Sequence, residues 1–233
     1  MQVTTSILSP SAKQKANPII TAPKREELPW LEAAKVEEKN PLNTAITELK
    51  TYNIAFVPTS NAMRMKFIDL SKEFKSGSDY ILKAKADEFG PTSNPHITVV
   101  QFKASQKKLD SLWDKIQSSV SATEIELTLN DTKYKPEDDS IWMQLQIKPS
   151  KECQEIHEKI VSILEREGIT CLNAHGARYD AHLTLSHTKD ETLIEKLDSL
   201  KIKLKDPKNV YTGYFTLVLG ESGDMWQLPV ILK

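Results

Sequence analysis

The chain has 233 residues, 39% of them hydrophobic and 27% charged, with 31 basic and 32 acidic side chains and a formal net charge of −1. This is a globular composition, long enough for one full core or two small lobes, and the balanced charge excludes the basic field that draws in long duplex nucleic acid. Two cysteines are too few for a disulfide framework, no apolar run reaches the roughly 18 residues of a membrane span, and Met1–Pro10 lacks the charged-then-apolar order of a secretory signal, so a cytoplasmic protein with no membrane partner is expected.

Residues 1–45 are punctuated by Pro10, Pro18, Pro23, Pro29 and Pro41 and read as an irregular extension, with one helical turn around Trp30–Lys39. Residues 46–233 are regular. Asn53–Val57 reads as a strand, and Asn61–Lys75 as a helix with Met63, Phe67, Leu70 and Phe74 on one side. Strands at Tyr80–Ala86 and His96–Phe102 follow, then a helix over Gln106–Ser118 carrying Leu109, Leu112, Trp113 and Ile116, and a strand at Glu124–Leu129.

The same order then recurs: a strand at Ile141–Ile147, a helix over Lys151–Glu167 stopped by Gly168, a strand from His182, a helix over Glu191–Leu200, and strands at Tyr214–Leu219 and Met225–Leu232. Lys201-Ile202-Lys203-Leu204-Lys205 alternates like an edge strand guarded by charge. Ile54 precedes His96 by nearly the spacing at which Ile141 precedes His182, which predicts two copies of one unit, in lobes of about 50–135 and 136–233, with strands free to exchange between them. The expected class is α/β, in the α+β sense. It is a bilobal duplicated unit whose two mostly antiparallel sheets face a central cleft, with helices on the outer faces.

Pro95-His96-Ile97-Thr98-Val99 and Ala181-His182-Leu183-Thr184-Leu185 carry the chemistry. In a strand the histidine and threonine of each point to one face while their apolar neighbours enter the core. An imidazole beside a hydroxyl moves a proton and holds an anionic oxygen, so two such pairs point to acid–base chemistry on a phosphate. Alternation sets Trp142, Gln144 and Gln146 on the open face of their strand, and Tyr214 and Thr216 on that of theirs. Trp142 and Tyr214 are then plates for a base, or packing between the lobes. Arg178 and Tyr179, just before the second motif, are a guanidinium for a phosphate and a phenol for a base, or the anchors of their own loop.

Two histidine-apolar-threonine motifs in equivalent places of a duplicated unit resemble the two-histidine phosphoesterase superfamily, the 2′-5′ RNA ligase and cyclic nucleotide phosphodiesterase group. The proline before the first motif and the strand–turn–strand containing Glu221-Ser222-Gly223-Asp224 and Trp226 are similar to that family as well. The resemblance implies His96 and His182 as the acid–base pair, Thr98 and Thr184 as the phosphate-holding hydroxyls, and no metal or cofactor. It also implies a metal-independent opening of a 2′,3′-cyclic phosphate on a nucleotide or RNA end. The alternatives are a 2′,5′-oligoadenylate phosphodiesterase and a module that binds such ends without turnover. A monomer is expected, with a small nucleotide or RNA end as its partner.

The other histidines read more plainly. His157, among Glu155, Glu158 and Lys159, is expected on a solvated helix face, and His187 at the surface or core edge, on the opposite strand face from His182. His175, His182 and His187 match no common zinc spacing.

Overall fold

The computed structural model describes residues 49–85, 93–148, 150–173, 176–223 and 227–233. The expected extension, His175 and Trp226 lie outside these residues. Apolar spacing and end signals account for the helices. In α1 (Asn61–Lys72), Phe67, Ile68 and Leu70 are buried, and Phe74 just beyond it is buried too. Leu109, Leu112, Trp113 and Ile116 all enter the core from α2 (Gln106–Ser119). The N-cap Ser150 of α3 (Lys151–Arg166) accepts a 3.2 Å hydrogen bond from Cys153 N, and Gly168, at φ +68, turns the chain out of its last turn. The segment expected as a charged edge strand is instead the end of α4 (Leu193–Lys203): Leu193, Leu197 and Leu204 are buried at helical spacing, and Lys201 and Lys203 stand where the helix dipole favours cations.

The strands are β1 (Leu49–Pro58), β2 (Ser78–Ile81), β3 (Ile97–Ser105), β4 (Glu124–Glu137), β5 (Ser140–Ile147), β6 (His182–Thr188), β7 (Tyr211–Glu221) and β8 (Val230–Ile231). All pair antiparallel in one eight-stranded sheet, ordered β1-β3-β6-β5-β4-β7-β8, with β2 also on β6. The expected α+β class holds, but the two separate sheets are one. Its two long strands divide themselves between neighbours: β4 pairs β7 through 124–129 and β5 through 129–137, while β7 goes on to pair β1 through 215–221. The β1–β7 ladder closes the strands into a ring. Within that ring the first helix of each half packs on the motif strand of the other half, α1 on β6 and α3 on β3.

Two β-bulges interrupt the motif strands. Against β1, the register passes from Ala55↔Thr98 to Ile54↔Val100 and skips Val99. Against β5 it passes from Gln144↔Thr184 to Met143↔Ser186 and skips Leu185. Each extra residue immediately follows the threonine of its motif, and each reverses the facing of every later side chain on its strand.

Candidate active site

β3 and β6 touch through the single pair Ile97↔Leu183. Because the strands are antiparallel, His96 lies beside Thr184 and Thr98 beside His182. All four line one cavity of about 600 Å³, together with Tyr80, Gln101, Trp142, Gln144, Arg178 and Tyr179, and Lys133, Lys135 and Glu137 from the far arm of β4.

The two imidazoles are held alike. His96 Nδ1 donates to Asn94 O at 2.8 Å and His182 Nδ1 to Asp180 O at 2.7 Å, in each case the carbonyl two residues upstream. That bond fixes the orientation and the tautomer of each ring. Behind them the supports differ. Asn94 is buried, its Nδ2 donates to Leu228 O at 3.0 Å, and its Oδ1 accepts from the buried Arg64 guanidinium at 3.2 Å. Asp180 is exposed and paired with Lys133 at 2.6 Å. Burial in the cavity wall, aided by the Lys133 and Lys135 charges, pushes His182 below the ordinary imidazole value against the opposing pull of the Asp180 carbonyl and carboxylate. The threonines differ too: Thr98 Oγ1 accepts from the buried Asn53 Nδ2 at 3.2 Å, so its own proton remains to be given to another group.

The remaining sequence-predicted residues divide. Trp142 and Gln144 face the cavity as alternation requires. Arg178, exposed in the 3₁₀ turn Gly176–Arg178, lines it as well. Tyr179 lines the cavity and also anchors its loop, donating from its hydroxyl to Thr98 O at 3.0 Å. Tyr214 is 53% exposed, opposite Glu126 at the β4–β7 pairing, and lies away from the cavity. Alternation gave its face correctly, but along that stretch of β7 the open face meets solvent.

Both histidines read as peripheral are buried. His157 is fully enclosed, donating from Nδ1 to Val99 O at 2.8 Å and accepting from Gly176 N at 3.3 Å on Nε2. Its helix face looked polar in sequence because its partners are main-chain groups. His187 returns to the same face as His182 because the Leu185 bulge reverses the alternation. Its ring packs against Trp142 with centroids 4.2 Å apart and planes tilted by 36°, and it contacts Asp79 Oδ1 and Ser140 Oγ at 2.7 Å each. Glu137 receives the Trp142 indole N–H and stands 3.9 Å from His187 Nε2. Asn53, Gln101, Glu137, Lys133 and Lys135 also contribute to the site and were not expected there. The signal for Gln101 was there: Ile97, Val99, Val100 and Phe102 break strict alternation by one residue. Among the described residues no three His, Cys, Asp or Glu side chains converge as a metal site, and no helix is long and apolar enough to cross a membrane.

Several solved structures share this fold. The apo crystal structure of E. coli LigT is 16% identical at a TM-score of 0.52, covering 80% of this chain and 96% of that one. E. coli LigT complexed with 3′-AMP is 16% identical at 0.51, covering 80% and 97%, and a crystal structure of a phosphoesterase is 15% identical at 0.52, again covering 80% and 97%. No curated protein sequence matches the chain. The family model of the 2′-5′ RNA ligase superfamily matches residues 71–211, a span that takes in both motifs and more than half of the sequence. With both motifs inside that span and their strands side by side in the fold, this chain belongs to the 2′-5′ RNA ligase superfamily, the two-histidine phosphoesterases.

Proposed function

We propose that residues 46–233 form a phosphodiesterase that opens a 2′,3′-cyclic phosphate on a nucleotide or an RNA end, with His96 and His182 as acid and base. The observation that carries the reading is the Ile97↔Leu183 pairing, which gathers two imidazoles and two hydroxyls around one cavity. In the proposed step, water attacks phosphorus and gives its proton to His182 Nε2. One phosphorus–ribose oxygen bond breaks, and the leaving oxygen takes a proton from His96 Nε2. The products are a phosphate monoester and a free ribose hydroxyl. His182 is assigned as the base because desolvation in the cavity wall favours its neutral ring, the form that accepts a proton. Thr98, whose hydroxyl proton is not used by Asn53, and Thr184 donate to the non-bridging oxygens. Arg178 pairs with phosphate at the cavity mouth, and Trp142 and Tyr179 wall the nucleoside.

The two imidazoles supply both proton transfers, so the chemistry as written calls on no metal. E. coli LigT, a relative in fold, has been crystallised with 3′-AMP, a ligand of the size and class proposed. The test is hydrolysis of the four 2′,3′-cyclic nucleotides, a 2′,5′-linked oligoadenylate and an RNA with a cyclic phosphate end, in EDTA, by wild type and His96→Ala. Turnover of a cyclic phosphate that disappears in the variant supports the reading. Turnover of the oligoadenylate alone moves the assignment to 2′,5′ linkages. Binding of an end without turnover makes the chain a recognition module.

A further inference from the structure

The residue after each motif threonine is a bulge, and a buried side chain from the opposite half takes its carbonyl. Val99 O, in the first half, accepts from His157 Nδ1 of α3 at 2.8 Å; Leu185 O, in the second half, accepts from Ser71 Oγ of α1 at 2.5 Å. Both side chains are fully buried. Each also accepts one backbone N–H from the chain beyond its own helix: Gly176 N reaches His157 Nε2 at 3.3 Å, and Leu82 N reaches Ser71 Oγ at 2.8 Å. An imidazole and a hydroxyl thus perform one task at corresponding places, a donor to the other half's bulge and an acceptor for their own half.

We infer that Ser71 and His157 are a reciprocal pair of positioning residues that fix the two bulges and, through them, the angle at which each motif's histidine and threonine enter the cavity. The inference rests on the proposed function for its kinetic consequence. An extra residue leaves a main-chain group without its ladder partner, and a buried carbonyl left without a donor costs about 1–3 kcal/mol. Without a clamp, the cheapest relief is to slide the strand by one residue, which would turn Gln101 and His187 away from the cavity side and twist the preceding threonine. Neither clamp lines the cavity, so their effect on turnover would pass entirely through geometry. The crossing also couples the halves, since β3 is held by the second half's helix and β6 by the first's.

The experiment compares the full chain with Ser71→Ala and His157→Phe, the latter keeping a ring against Tyr179 while removing both nitrogens. Backbone amide resonances of Thr98, Val99, Thr184 and Leu185 are read beside steady-state kinetics on 2′,3′-cyclic AMP. Ser71→Ala is expected to move Thr184 and Leu185 and spare the first motif, and His157→Phe to do the reverse. In each, kcat falls at least about tenfold while KM stays within about twofold, as for reacting groups tilted by a fraction of an ångström. His157→Gln, which retains a donor and an acceptor, recovers part of kcat. Unchanged resonances in the opposite half, or unchanged kcat with only a lower melting temperature, overturns the inference. If either truncation fails to fold, Ser71→Cys and His157→Gln are read by the same resonances. If the wild type turns over no phosphodiester, the functional reading falls and the cross-half resonance shifts alone decide the clamp.

Discussion

The ring of His157 lies flat on that of Tyr179, centroids 3.8 Å and planes 3° apart, and together they hold two consecutive carbonyls of the first motif strand, Val99 O and Thr98 O. Burial first, and then Cys153 and Asp180, push the Tyr179 phenol well above its ordinary value, so it remains a donor. Tyr179→Phe keeps the stack and removes that bond, leaving Thr98 O without the phenol. The expected loss is about 1–2 kcal/mol, read as a lower denaturant midpoint at unchanged slope. An unchanged midpoint would show that the phenol bond contributes nothing to holding the strand.

Replacing His96 or His182 by Ala is expected to lower kcat by ~10²–10⁴ each, the usual contribution of a positioned acid or base. Each ring is oriented by a main-chain carbonyl at the cavity wall, Asn94 O for His96 and Asp180 O for His182, and neither belongs to the apolar core, so the variants should remain folded by circular dichroism. Near-wild-type turnover in either variant would remove that histidine from the mechanism.

Much of this was legible in the sequence. The apolar stripes of the helices and the equivalent placing of the two motifs gave the element order, because burial dictates periodicity locally. What stayed hidden depends on relations between strands. Periodicity cannot show that β4 and β7 are each shared by two neighbours, and so it gave two sheets instead of one ring. A bulge reverses facing without any change of composition, which misplaced His187. His157 looked solvated because main-chain groups satisfy it, and a sequence does not display those partners.

The charges around His182 make a pH prediction with opposite signs. As the proposed base it must be neutral, so the acid limb of kcat/KM is expected to follow its pKa and to lie below the ordinary imidazole value. Lys133 lowers that pKa, and it also neutralises Asp180, which raises it. Lys133→Ala therefore raises the pKa on both counts and moves the acid limb to higher pH. Asp180→Asn keeps the carbonyl that holds the ring but removes the raising charge, and the limb moves to lower pH. Rate–pH profiles at low ionic strength check this, where surface charge is least screened. Shifts in one common direction would refute the assignment of His182 as the base.

His187 supports the cavity wall from behind. It packs tilted against Trp142 and bonds Asp79 and the buried Ser140, so His187→Ala breaks this network and leaves the indole without its backing. The expected cost is about 2–3 kcal/mol, with a rise in KM greater than the fall in kcat because the wall meets substrate and not the proton transfers. A fall in kcat alone would place His187 in the chemistry instead.

Gly220 tests whether the C-terminal strand helps to set His96. A Cβ there would strike Val230 O and Leu228 Cδ1, on the β8 side of the Gly220↔Ile231 pairing, and the first of these is backbone that cannot rotate away. Leu228 O in turn accepts both Asn94 N at 3.2 Å and Asn94 Nδ2 at 3.0 Å, and Asn94 O orients His96. Gly220→Ala should therefore cost about 1–3 kcal/mol, as overpacking does, and also lower kcat, since the displaced segment leading into β8 carries the Leu228 carbonyl that fixes Asn94. Gly213 is the control in the same strand: a Cβ there meets only the Sδ and Cε of Met63, the far end of a flexible side chain. Gly213→Ala is expected to fold with nearly unchanged kcat. Equal kinetics in the two variants would mean that the β8 contact stabilises the fold without reaching His96.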